Sequence, residues 1–238
     1  MRISALVAAS IALVVVAAMP ACSSKQGTTG GGGITGTPQG SNPNGVPYPS
    51  VGIGTGARGL DANNVPNTTR HGDVIQNFKF LGYPDGDSSK PMTTVALSDY
   101  YDPTAAKYKV LHIIAAAEWC GPCNDETSAL VSALKVPATT YPGVVYLQAL
   151  VEGFTQNVGA TTADLNDWIS KYHQGFAEVL DPEANNLGAF FDAAAVPFNA
   201  DIDARSMEIL AAGVGEESPD AVTVWLDWVN ANKPTTYQ

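Results

Sequence analysis

Two of the chain's three cysteines, Cys120 and Cys123, stand either side of a Gly-Pro in the run AAAEWCGPCND, residues 115–125. Their setting limits the fold more than any other feature. Lys109 to Ala116 (KVLHIIAA) is a nearly unbroken apolar run, the pattern of a strand buried on both faces. A helix is expected from Gly121 to Lys135, stopped before Pro137, so the pair straddles a strand-to-helix junction. A buried strand feeding a helix is a unit of an α/β sheet.

The rest of the chain fits that class. Gly143 to Val151 (GVVYLQALV) reads as a second buried strand, with NFKFL (77–81) and TTVALSDYY (93–101) as shorter strands ahead of the motif. FAEVL (176–180), PFNADID (197–203) and MEILAAGV (207–214) follow as further strands. Three helix starts are marked: Thr161 with Asp164 as a capping box, and Asp181-Pro182 and Ser218-Pro219, where proline at the first helical position loses no hydrogen bond. Val222, Trp225, Leu226 and Val229 fall on one face of the last helix, which makes Trp225 a core residue. Alternating strands and helices, two adjacent strands and a closing helix predict a mixed central sheet with flanking helices.

The N-terminus reads as an export signal: Arg2, an apolar run from Ile3 to Ala18, then MPAC ending at Cys22. That run is shorter than the roughly 20 residues a membrane-spanning helix needs. A cysteine closing such a run resembles a bacterial lipobox, with Met19 and Pro20 departing from the usual residues. The resemblance implies a signal peptide over 1–21 and lipidation of Cys22, hence a lipid anchor and a periplasm-facing lipoprotein of the cell envelope. With Cys22 so used, Cys120 and Cys123 are left as the two remaining thiols. Residues 22–70, rich in Gly, Pro, Ser, Thr and Asn, are expected to be a flexible tether, with packing of Tyr48 to Leu60 on the domain surface as the alternative, and 71–238 the folded domain.

With 12 Lys+Arg against 23 Asp+Glu the net charge is −11, which disfavours nucleic acid as a partner. Zinc would need four ligands; no second cysteine pair exists, and His71, His112 and His173 have no ligand spacing, so no metal and no cofactor is expected. Covalent haem attachment needs a histidine where Asn124 stands. A disulfide closing so short a loop removes little unfolded-state entropy, which disfavours a staple. A redox dithiol fits better. At a helix start, unsatisfied N–H groups and the positive dipole end favour a thiolate at Cys120, with Cys123 one turn deeper on the same face: an outward nucleophile over a shielded partner. Lowering a thiol pKa from about 8.5 to about 7 corresponds to roughly 2 kcal/mol in favour of the charged form.

AEWCGPC, Ala117 to Cys123, resembles the active-site motif of thioredoxin, and 72–233 resembles the exported TlpA/ResA-type branch of the thioredoxin-like superfamily. That resemblance implies a three-layer α/β sandwich and a thiol-disulfide oxidoreductase. Cys120 would attack and Cys123 resolve, Trp119 would shield the site, and Val196 would pair with the client chain beside a cis Pro197. Thioredoxin's buried acid six residues before the first cysteine is Ile114 here; Glu118 is the nearer candidate for proton transfer. The Gly-Pro dipeptide, as in reducing thioredoxins, points to reduction of protein disulfide clients with electrons from a membrane or periplasmic donor. Two other classes stand beside this one: a non-catalytic envelope binding protein, and a peroxiredoxin-like peroxidase, whose usual Thr is replaced by Ala117.

Overall fold

The computed structural model describes residues 39–136 and 141–237. The expected signal peptide over 1–21, lipidation at Cys22 and the first part of the tether lie outside the described residues.

Among the described residues seven strands form one mixed sheet: β1 (Lys79–Tyr83), β2 (Thr93–Ala96), β3 (Val110–Ala117), β4 (Val144–Glu152), β5 (Ala177–Leu180), β6 (Phe198–Asp203) and β7 (Glu208–Val214). Their spatial order is β2-β1-β5-β4-β3-β6-β7. The central strands β3, β4 and β5 run parallel, and their crossovers use α1 (Gly121–Leu134) and α2 (Thr162–Tyr172). β6 and β7 pair antiparallel beyond β3, as β1 and β2 do beyond β5, and α3 (Thr223–Ala231) closes the fold. The parallel strands need helical crossovers, whereas β6 and β7 need only a turn.

β3 is buried along its whole length, and its alternation divides the core. Val110 packs with Val222 at the N-cap of α3 and with Trp225 and Val229 within it, and Ile114 with Leu130 and Val131 of α1, so these helices share one face. Leu111, Ile113 and Ala115 belong to the main core with Ile75, Phe78, Leu97 and Phe191. Trp225 is buried there, as its position on the helix face predicts.

Two expected helix starts differ. After Asp181-Pro182 the chain makes only a 3₁₀ turn, Pro182–Ala184, followed by another at Leu187–Ala189. Asp181 turns its carboxylate to the N–H groups of Asn186 and Leu187, and the left-handed backbone at Glu183 and Ala184 forbids an α-helix. Ser218-Pro219 likewise caps no helix; Ser218 bonds the side chain of Asp220, and α3 begins at Thr223.

The larger correction concerns the tether. Residues 39–70 are not a free chain along their length; they run against the domain. Tyr48 is buried and donates to Ile75 O, and Arg58 N donates to Ile209 O at 2.9 Å. Arg58 pairs with Glu208 at 2.8 Å, and both side chains are almost wholly buried, at 3% and 1% exposed. A segment without hydrophobic periodicity is thus held by backbone pairing to β7 and one buried ion pair, neither of which composition reveals.

Candidate active site

Cys120 is the N-cap of α1. Its extended backbone (φ −81°, ψ 114°) ends the strand-side turn, Pro122 occupies the first helical turn, and the Cys120 sulfur accepts from the backbone N–H of Cys123 at 3.1 Å. A sulfur therefore takes the place a capping oxygen usually fills. The two cysteines are joined in a disulfide with Cα atoms 5.3 Å apart. Asn124 tightens the turn by donating its amide to the carbonyls of Glu118 and Cys120, while its amide oxygen receives Lys171 and Tyr172 from α2.

The expectation of an outward Cys120 over a shielded Cys123 needs correction. In the disulfide form Cys120 is only 2% exposed and Cys123 fully buried. The backbone ahead of β6 lies against Cys120: its sulfur is 3.5 Å from Val196 O, next to the cis Val196–Pro197 bond. Gly121 and Pro122 are the exposed part of the motif.

Trp119 is half-buried and donates its indole N–H to Glu152 at 2.6 Å, and the same carboxylate oxygen receives the N–H of Asn157 at 3.0 Å. Glu152 at the end of β4 thereby fixes both the indole and the 153–158 loop. A side chain at Gly153 would have to displace the Asp164 carboxylate, since a Cβ would lie 2.6 Å from its carboxyl carbon. Glu118 is half-buried at the rim. Burial first, then Asp164 and Asp167, raise its pKa against the opposing pull of Lys171.

Ile114 occupies the expected place and is buried, yet an acid does stand below the motif. Glu126 lies three residues after Cys123, on the same side of α1, and is 3% exposed. One of its oxygens accepts from Asn199 Nδ2 at 2.8 Å and from Glu217 N at 2.6 Å, while its second has no partner among the described residues. Burial, opposed by those hydrogen bonds, lifts its pKa above the usual carboxylate range. Sequence reasoning missed Glu126, although the spacing CxxCxxE places it there.

No protein-family model matches the chain, and no curated protein matches it. Solved structures do resemble it. One from Chlorobium tepidum, described as a thiol:disulfide interchange protein DsbE, is 21% identical, covers 67% of this chain and 97% of its own, and has a TM-score of 0.48. A secreted thiol-disulfide isomerase from Corynebacterium glutamicum is 21% identical over 66% of this chain and 87% of its own, with a TM-score of 0.46. The exposed lipoprotein thioredoxin of Streptococcus pneumoniae is 21% identical over 66% of this chain and 99% of its own, at 0.45.

Proposed function

We propose that the chain is an exported thiol-disulfide oxidoreductase that reduces disulfides of protein clients. The reading is carried by one observation: a disulfide between the N-cap and third residue of a helix, set against the backbone carbonyl of Val196.

In the reduced form the Cys120 thiolate, favoured by the N–H of Cys123 and the start of α1, attacks a client disulfide. A bond forms from Cys120 to one client sulfur, and the other leaves as a thiolate that takes a proton. Val196 offers the backbone against which the client chain lies. Cys123 then gives up its proton, with Glu126 as acceptor, and its thiolate attacks the Cys120 sulfur. The intramolecular disulfide closes and the second client sulfur departs, so two electrons pass from the enzyme dithiol to the client. Glu118, raised in pKa at the rim, is suited to protonate a departing client thiolate.

The Gly-Pro dipeptide favours the reducing direction. The span from about −270 mV for thioredoxin to about −120 mV for strong oxidants is worth roughly 7 kcal/mol, so the measured potential decides direction. Arg2, the apolar run and Cys22 support a lipid-anchored, periplasm-facing location, where reduction requires a membrane or periplasmic electron donor.

A second reading, an inert disulfide in a binding domain, is favoured by the burial of Cys120. Insulin reduction with a chemical reductant separates the two. Turnover that vanishes in Cys120→Ser supports the enzyme; no turnover in the wild-type protein supports the binding domain.

A further inference from the structure

Behind the dithiol, four elements and one connecting segment bring polar groups together where a core would ordinarily be apolar. Glu126 comes from α1, His112 from β3, Tyr146 from β4, Asp201 from β6 and Glu217 from the segment after β7; the N-cap of α3 adds only Val222. His112 and Asp201 are direct partners across the β3–β6 pairing, and His112 Nδ1 meets the Asp201 carboxylate at 2.8 Å. The ligand-type atoms of His112, Asp201 and Glu217 lie within 4.8 Å of one another. His112, Glu126, Tyr146 and Glu217 line a cavity of about 10 Å³ of water-accessible space, room for about one water.

Two of the residues lining that cavity carry a buried polar atom with no partner among the described residues: the second carboxylate oxygen of Glu126 and the hydroxyl of Tyr146. A polar cavity of this size with several polar neighbours is the kind of place a single water occupies. The charge balance points the same way. Three carboxylates surround one imidazole, and among the described residues no Lys or Arg nitrogen lies within 4.0 Å of them. Buried charge without a partner is costly, so the cluster is most stable when it holds protons. Burial raises Glu126 and Glu217, and although burial opposes it, Asp201 with Glu217 and Glu126 raises His112. Glu217 alone of these groups is only half-buried, which makes it the outlet.

We propose that Glu126, His112 and Glu217, bridged by one water and with Asp201 orienting the imidazole, form a proton relay between the resolving thiol and solvent. The inference rests on the dithiol reading above. When Cys123 is deprotonated, Glu126 takes the proton and passes it through the water to His112, and Glu217 releases it; the reverse order recharges the site.

The test is single-turnover oxidation of the reduced protein by oxidised glutathione from about pH 5 to about pH 9, with redox potential measured in parallel. Glu217→Ala and His112→Gln are each expected to slow the closing step roughly tenfold near neutrality, converging on the wild-type rate at high pH where thiol ionisation no longer needs a base. The potential should stay unchanged, and the double variant should be little slower than either single one. Added formate should restore Glu217→Ala by replacing the missing carboxylate at the half-exposed outlet. Wild-type rates in both variants, or a loss that is equal at every pH and unrelieved by formate, would overturn the relay alone. A divalent metal co-purifying in one equivalent, and lost in His112→Gln, would also overturn it, because the same atoms would then be ligands. A wild-type protein that does not react with the disulfide at all would overturn the dithiol reading and the relay together.

Discussion

At Glu126 the proposed proton transfer rests on a single oxygen. Glu126→Gln keeps an acceptor for Asn199 and for the Glu217 N–H, but replaces the unpartnered, proton-accepting oxygen with an amide. Because burial raises the Glu126 pKa, the carboxylate is available as a base only above that raised value, and the wild-type closing rate should fall as pH drops through it. The amide has no such titration. The variant should therefore be slower near neutrality by about one to two orders of magnitude, and its pH–rate curve should lose the limb belonging to Glu126 and retain only thiol ionisation. Stopped-flow rates across pH check this; a Glu126→Gln curve superimposable on the wild-type one would remove Glu126 from the mechanism. The two cysteines were legible from the sequence because their chemistry is local: a helix start and a spacing of three. The acid was harder to find, because a buried carboxyl can reach the same place from the strand, where Ile114 stands, or from the helix, where Glu126 does. The indole's dependence on Glu152, which is 33 positions away, leaves no local pattern at all.

Among the elements, β5 carries the least expected side chain. Glu178 lies opposite Gln148 of β4 and Tyr83 of β1, is fully buried, and has no partner for either oxygen among the described residues. Burial raises its pKa well above the ordinary value. A carboxyl whose folded pKa lies above its unfolded one binds more protons when folded, so it costs stability as pH rises from the unfolded value near 4.3 through the raised folded value. Glu178→Met removes that cost while keeping a similar volume. The variant should gain about 1–3 kcal/mol at pH 8, with the gain shrinking towards pH 5; denaturant melts at both pH values measure it, and an equal gain at both would contradict the buried-charge account. β3 and β4 were legible as strands because burial on both faces produces long apolar runs, and α2 because Thr161 and Asp164 form the reciprocal cap their spacing predicts. Asp181-Pro182 and Ser218-Pro219 carried the same start signal and failed. A cap announces that a chain can turn, while the residues behind it decide whether an α-helix follows, and at Glu183 and Ala184 the backbone is left-handed.

Across the whole molecule, the buried Arg58–Glu208 pair joins three distant parts of the chain. Arg58 also donates to the carbonyls of Asn67 and Arg70, and to the Thr235 hydroxyl, and lies 4.8 Å from the centre of the Trp228 ring. Glu208 in turn accepts the Gly72 N–H at 2.8 Å, and Tyr237 donates to Gly72 O at 2.7 Å. The 58–72 segment, β7 and the C-terminal tail thus close on one another. None of this was legible in a Gly- and Pro-rich stretch, since one arginine and a series of backbone bonds leave no periodic signal. Removing one partner strands the other charge in the interior. Arg58→Met is expected to destabilise the fold by about 3–5 kcal/mol, and adding Glu208→Met should recover most of that loss by leaving no uncompensated charge. Glu208 pairs with Asp203, which pairs with Val110, so the clasp sits at the opposite end of β3 from the cysteines, about 25 Å away along eight residues. Insulin reduction by Arg58→Met well below its melting temperature should therefore match the wild-type rate, while its thermal midpoint falls and its tail becomes open to proteolysis. A double variant as unstable as Arg58→Met alone would mean that the arginine's several backbone bonds, and not its charge, hold the segment to the domain.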